Sequence, residues 1–267
     1  MDEAVSKEAL EAARGYEALF VRALTGVWTE HVLTSAQLAP GHRLLDVACG
    51  TGVLARAAQA TVGRNGSVTG LDPAAGMIAV AREITPEITW LLGAAEQLDL
   101  PDCAFDRVTS QFGLMFFLDR EAAVAEMHRV LVPQGRIALA VWTGLDRNPA
   151  YSALASLFDE RISQAAGEAL RIPFCMGDAH ALMALLEAAG FQDITIETPS
   201  EEANFPSPRA LVEAELRGWL PFFDIHLDDA KIAEVLAAAD HVLAPYTTST
   251  GEARFPTAAH VVCAVKP

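Results

Sequence analysis

Apolar and polar positions change period along this chain, and the changes mark its elements. In the first forty residues Tyr16, Phe20, Leu24 and Trp28 recur every fourth position, which predicts helices with one apolar face. From Arg43 the rhythm becomes strand–helix alternation. Short apolar strands are predicted at Arg43–Ala48, Ser67–Leu71, Ile88–Leu92, Phe105–Ser110 and Arg136–Trp142. Helices are predicted between them at Val53–Thr61, Ala74–Glu83 and Arg120–Leu131, the last closed by Pro133 and Gly135. Such alternation predicts a parallel sheet covered on both faces, with right-handed crossovers. Past Trp142 the rhythm breaks. Helices are expected over 148–172, 178–189, 208–219 and 228–243, strands at Ile194–Thr198 and Ala259–Val265, and a loop from Pro199 to Pro208.

Composition narrows the function without choosing it. Half of the 267 residues are apolar, enough for a full-sized core without metals or disulfides. The net charge of −16, with 19 basic residues and no basic run, argues against nucleic acid and against an anionic membrane surface. Cys49, Cys103, Cys175 and Cys263 form no C-x-x-C pair, so no metal site is signalled, and they suit a reducing cytoplasm. Met1-Asp2-Glu3-Ala4 is acidic where a signal peptide would be basic, and no apolar run approaches the ~20 residues of a membrane span.

The chemistry concentrates at Leu44-Leu45-Asp46-Val47-Ala48-Cys49-Gly50-Thr51-Gly52, between the first strand and the first helix of the alternating region. Ligands of doubly wound sheets bind at the carboxyl ends of strands. Gly50 and Gly52 let backbone turn sharply beside a ligand, and the following helix offers free N–H groups. Asp72 closes the second strand twenty residues after Gly52, where a carboxylate accepts two ribose hydroxyls. The loop also fits G-x-G-x-x-A through Ala55, a dinucleotide pattern. Asp46 discriminates: its charge repels pyrophosphate and attracts the ammonium of a methionine moiety.

Leu44–Gly52 resembles the first motif of class I S-adenosylmethionine-dependent methyltransferases, closest to the small-molecule enzymes of ubiquinone/menaquinone biosynthesis. The likeness continues through Val68–Asp72, Met77, Ala81-Arg82, Gly93–Leu98, Phe105–Val108, Gln111–Phe117, Glu126–Leu131, Pro133–Arg136 and Ala188–Phe191. It implies an α/β, Rossmann-like, doubly wound, seven-stranded, mostly parallel sheet with an antiparallel last strand and helical cap insertions. One domain over 1–267 is expected: N-terminal helices (1–40), a cofactor-binding core (41–144), a cap (145–180 and 207–245) and terminal strands (190–200 and 258–267). The resemblance implies that Asp46, Ala48, Cys49, Gly50 and Gly52 line the methionine side of S-adenosylmethionine. Asp72 would hold the ribose, with Pro73 and Met77 against the nucleoside. Ala94, Ala95 and Glu96 would lie beside the adenine, and Gln111 and Phe112 beside the methionine portion. The family commonly has glycine at Ala48, often has aspartate at Ala94, and has P-G-G where Pro133-Gln134-Gly135 stands.

For the methyl acceptor, Tyr16, Trp28, Phe116, Trp142, Phe222 and Phe223 are candidate walls, although core packing explains the same aromatics. His226, beside Phe222-Phe223, is the candidate general base. No metal-ligand spacing stands out. The apolar cap predicts methyl transfer to a small, moderately hydrophobic metabolite, aromatic or polyketide-like, by in-line displacement. A homodimer is compatible with the chain. Two alternatives stay open: a nicotinamide-dependent oxidoreductase using the G-x-G-x-x-A loop, and a non-catalytic S-adenosylmethionine-binding protein.

Overall fold

The computed structural model describes residues 5–267; the acidic start of the chain, Met1–Ala4, lies outside the described residues. The chain opens with α1 (Lys7–Tyr16), a π-helical stretch (Glu17–Thr25) and α2 (Thr29–Ser35). The alternating region comes next as β1 (Arg43–Val47), α3 (Val53–Val62), β2 (Ser67–Asp72), α4 (Ala75–Ile84), β3 (Thr89–Leu92), β4 (Phe105–Gln111), α5 (Arg120–Val130) and β5 (Leu131–Trp142). Then come α6 (Pro149–Arg161), α7 (Gln164–Arg171), α8 (Ala179–Ala188), β6 (Gln192–Glu197), β7 (Ser200–Phe205), α9 (Pro208–Ala214), α10 (Asp229–Val242) and β8 (Ala253–Val265).

The sheet runs β3-β2-β1-β4-β5-β8-β6. Strands β1 to β5 pair in parallel, and β8 is antiparallel to both β5 and β6. Strand order reverses between β1 and β4, so the crevice at their carboxyl ends is the natural ligand position. Central strand β5 is unbroken apolar core from Ile137 to Trp142, as expected for a strand covered on both faces.

Two expectations change here. Pro199–Pro208 is not a loop: Ser200–Phe205 forms β7, paired antiparallel with Ala253–Ala258, so an eighth strand joins β8 beside the expected seven-stranded path. The acidic Glu201-Glu202 hid the alternation that buries Ala203 and Phe205. Proline is tolerated in β8 because Pro256 pairs with β7 alone, at Glu202, beyond the segment that β5 and β6 cover. The final strand is therefore twice as long as expected, beginning at Ala253 rather than Ala259.

The N-terminal helices also depart from a single apolar face. Hydrogen bonds in the Glu17–Thr25 stretch close wider i→i+5 turns, which shifts the helical phase of the residues after it. Tyr16, Phe20 and Leu24 face a cavity, whereas Trp28 is rotated wholly into the core. Helix α1 lies close on α4: a Cβ at Gly76 would come within 2.5 Å of the Ala9 carbonyl oxygen. Arg14 and Glu83 pair at 3.0 Å across that contact.

Candidate active site

The carboxyl ends of β1, β2 and β4 open into a cavity of about 1140 Å³, roofed by α1, the π-helical stretch and the helices beyond β5. Typical single-ligand sites span ~300–1,000 Å³, so there is room for two bound molecules.

Asp46 stands at the centre. The β1–β4 register sets it beside Thr109, whose hydroxyl donates to Asp46 Oδ1 at 3.0 Å. Asp46 Oδ2 is buried and has no hydrogen-bond partner among the described residues. Burial, with the nearby Asp72 charge adding to it, pushes the Asp46 carboxyl up to about 7, against the pull of Thr109. A buried acid with an open oxygen is short of a cation or donor.

Asp72 does structural work as well. Its Oδ2 accepts from the Gly50 amide and its Oδ1 from the Ala74 amide, both at 2.8 Å. Each oxygen keeps a second lone pair, the geometry that a vicinal diol needs. Burial raises this carboxyl too, partly offset by those two amides.

The glycine loop is more specific than its sequence suggested. Gly50 lines the cavity, beneath the Tyr16 ring. Gly52 does not: it faces away, and a Cβ there would stand 2.3 Å from the Trp90 ring. Trp90 slots between Gly52 and Gly70 and donates to the Thr85 carbonyl at 2.8 Å. Gly52 is thus glycine for packing against Trp90 and for its own φ of +90°. Ala48 adopts φ +56° and Gln134 φ +63°, both left-handed. These are two positions where the family resemblance places glycine. Glu17 ties the roof to the loop: it accepts from Thr51 Oγ1 at 2.5 Å and pairs with Arg56 at 2.7 Å.

Of the remaining expected cofactor residues, Asp46, Ala48, Cys49, Asp72, Pro73 and Met77 line one part of the cavity. Ala94, Ala95, Glu96, Gln111 and Phe112 line it as well. Glu96 Oε1 accepts from the Leu118 amide at 2.9 Å, leaving Oε2 for a donor such as an adenine amino group. Gln111 donates to the Thr25 carbonyl at 2.9 Å, while its Oε1 is buried without a partner among the described residues.

The acceptor-side candidates divide. Tyr16, Phe116, Trp142 and Phe222 line the cavity. Phe112 and Trp142 stack at 3.8 Å between ring centroids, forming a flat wall. Trp28 packs edge-on behind both rings, so it supports that wall and does not reach the cavity. Phe223 packs on Trp219 at 5.1 Å and stays outside the lining. His226 is likewise outside, on the surface beside Asp224 at 3.5 Å, because Asp224 turns the chain outward at φ +57°. The geometry therefore gives His226 no access to a substrate in this cavity.

Sequence reasoning missed Tyr151 and Glu215. Both are buried, both line the cavity, and the Tyr151 hydroxyl donates to Glu215 Oε1 at 3.3 Å. A signal existed: Leu211, Val212, Glu215 and Leu216 share one helical face, so an acid occupies a core position.

Comparison with known proteins agrees with this architecture. A family model described as a methyltransferase domain matches residues 44–135. The demethylmenaquinone methyltransferase of Staphylococcus epidermidis is 32% identical over 186 residues, covering 64% of this chain and 77% of the relative. The ubiquinone/menaquinone biosynthesis C-methyltransferase of Xanthomonas oryzae is 38% identical over 133 residues, covering 46% and 53%. Phosphoethanolamine N-methyltransferase 2 of Haemonchus contortus, solved with S-adenosyl-L-methionine, superposes with a TM-score of 0.61 at 18% identity, covering 97% of this chain and 57% of that one. At that identity the likeness speaks for the fold. The open Asp46 oxygen, the paired lone pairs of Asp72 and the backbone cradle at Gly50 fit the ammonium, ribose and methionine parts of S-adenosylmethionine.

Proposed function

The chain belongs to the class I S-adenosylmethionine-dependent methyltransferases of the ubiquinone/menaquinone type, and from that premise we propose that its acceptor is an apolar hydroxylated aromatic of the quinol class. Its cofactor is S-adenosyl-L-methionine and its acceptor a small metabolite. The nicotinamide and non-catalytic readings are not favoured.

The observation that carries the proposal is the continuity of the cavity. It runs from the Asp46 end, past the Phe112–Trp142 wall, to an apolar rim of Phe116, Leu118 and Phe222. The names of the two bacterial relatives, which act in quinone biosynthesis, point the same way. When bound, the cofactor supplies a methyl group already activated on a positive sulfur. The chain's own residues then have three tasks. Asp46 Oδ2 receives the ammonium, Asp72 the ribose hydroxyls and Glu96 the adenine amino group. Gln111 Oε1 and the faces of Phe112 and Trp142 would border the sulfonium, where partial negative charge and aromatic faces favour a cation. The aromatic roof excludes water and orients the acceptor, and positioning alone lowers a barrier by up to roughly 7–11 kcal/mol. The acidic chain and its four unpaired cysteines support a cytoplasmic setting and no nucleic-acid partner.

The test is methyl transfer from labelled cofactor to a short-chain 2-alkyl-1,4-dihydroxynaphthalene kept reduced, beside a panel of amines. Labelled naphthol product is expected. Label carried only into amines would overturn the acceptor class.

A further inference from the structure

Glu215 is a buried acid without a counter-ion in the wall of a substrate cavity. It is 5% exposed, and its only hydrogen-bond partner among the described residues is the Tyr151 hydroxyl, on Oε1. Among the described residues no cation pairs with it, although Arg217 lines the same cavity. From α6 comes Tyr151, and from the end of α1 comes a second phenol, Tyr16, lining the same cavity. On α9, Arg209 is turned to Asp240 at 3.2 Å. Arg217, two residues along, is turned to Glu213 and Asp229 at 2.9 Å each. Buried acids left uncompensated are costly, and structural packing would be served better by an apolar residue.

Position strengthens the case. Tyr151 packs on Phe174, and Phe174 on Trp142, the ring that stacks on Phe112. Tyr16 meanwhile covers Gly50 of the loop. The Glu215–Tyr151 pair therefore sits one ring, Phe174, away from the Trp142–Phe112 stack that would border the sulfonium.

We propose that Glu215, held by the Tyr151 hydroxyl, is the base that takes the hydroxyl proton of the acceptor. The inference rests on the quinol-class acceptor proposed for this cavity. In the step, the acceptor O–H bond breaks and an O–H bond forms on the free Glu215 oxygen. The electron pair left on oxygen is shared with the ring carbon beside it, which forms the bond to the methyl carbon as the methyl–sulfur bond breaks and S-adenosylhomocysteine leaves. That carbon then loses its proton to solvent, and the proton on Glu215 returns to the oxygen. Burial raises the carboxyl to about 8, near working pH, where a base combines availability with strength.

The experiment pairs an infrared measurement with a pH profile. In enzyme saturated with S-adenosylhomocysteine, carbon-13 labelling of glutamate identifies a protonated-carboxyl band. That band is expected to titrate near pH 8, to shift when 1-naphthol is added, and to be missing in Glu215→Gln. With the reduced naphthalene probe, wild-type kcat is expected to climb with pH through the same midpoint. Glu215→Gln should lower kcat by about 10²–10⁴-fold and flatten that limb, with S-adenosylhomocysteine affinity kept within a few-fold. Tyr151→Phe should move the midpoint of the limb. An infrared band indifferent to 1-naphthol, or an unchanged limb in Glu215→Gln, would overturn the proposal. The infrared arm needs no turnover, so the titration of the band that Glu215→Gln removes is read even if the acceptor class proves wrong, and a band that does not titrate near pH 8 would overturn the proposal by itself.

Discussion

At the scale of single residues, the site is built from acids held away from water. Asp46 has its carboxyl raised to about 7 from an unfolded value of 3.8. The folded state therefore holds a proton that the unfolded state has lost between those values. Stability of the cofactor-free protein falls as pH rises through that window and is level above it. Asp46→Asn removes the buried charge, so it should stabilise the cofactor-free fold at pH 8 by ~1–3 kcal/mol in urea titrations. It should also weaken S-adenosylhomocysteine binding by at least about tenfold, since one charge-assisted contact is worth ~1.5–3 kcal/mol. Wild-type affinity should rise with pH up to about 7, as the carboxylate form becomes available. Ala48 and Gln134 pose a different residue-level question, because each holds a left-handed backbone without being glycine. Ala48→Gly and Gln134→Gly should each add about 0.5–1 kcal/mol, the left-handed cost less the glycine entropy. Thermal melts check both.

At the scale of elements, the loop depends on what lies beneath it. Trp90 on β3 fills the space that Gly52 and Gly70 leave empty. Gly52→Ala should therefore destabilise the fold by more than about 2 kcal/mol, combining backbone strain with an overpacked ring. It should weaken cofactor binding as well, although Gly52 does not line the cavity. The N-terminal roof is latched by Glu17 to Thr51 and Arg56. Glu17→Gln should speed amide exchange over residues 7–25 in the cofactor-free protein, measured by hydrogen–deuterium exchange. These elements also explain what could be read from the chain. β1 and β5 were legible because each carries its apolar run locally. Strand β7 was not, because only its partner in β8 reveals the alternation behind Glu201-Glu202. Likewise the four-residue spacing of Tyr16 to Trp28 was visible, but the i→i+5 turns that send Trp28 into the core were not.

Across the whole molecule, cofactor side and acceptor side differ in legibility for one physical reason. Asp46, Gly50 and Asp72 lie within a short βαβ unit, so their relation is written in local spacing. Tyr151 and Glu215 stand 64 residues apart and meet only through tertiary packing. Their partnership left just the trace of an acid on an apolar helical face, while the exposed His226 drew attention through its aromatic neighbours. No single described helix is long and apolar enough to cross a membrane, and the rim of Phe116, Leu118 and Phe222 gives an apolar acceptor its way in. Six acids, Glu8, Glu11, Asp46, Asp72, Glu96 and Glu215, line the cavity against one arginine, Arg217, an excess that suits a cofactor carrying both an ammonium and a sulfonium.

The most direct test of this assignment is calorimetric titration of the purified protein with S-adenosylhomocysteine, with NADH as the competing ligand. Saturable one-site binding in the range of ~1–100 μM, with no heat from NADH, is the expected result. Binding of NADH with no binding of S-adenosylhomocysteine would contradict the reading of the Asp46–Gly52 loop.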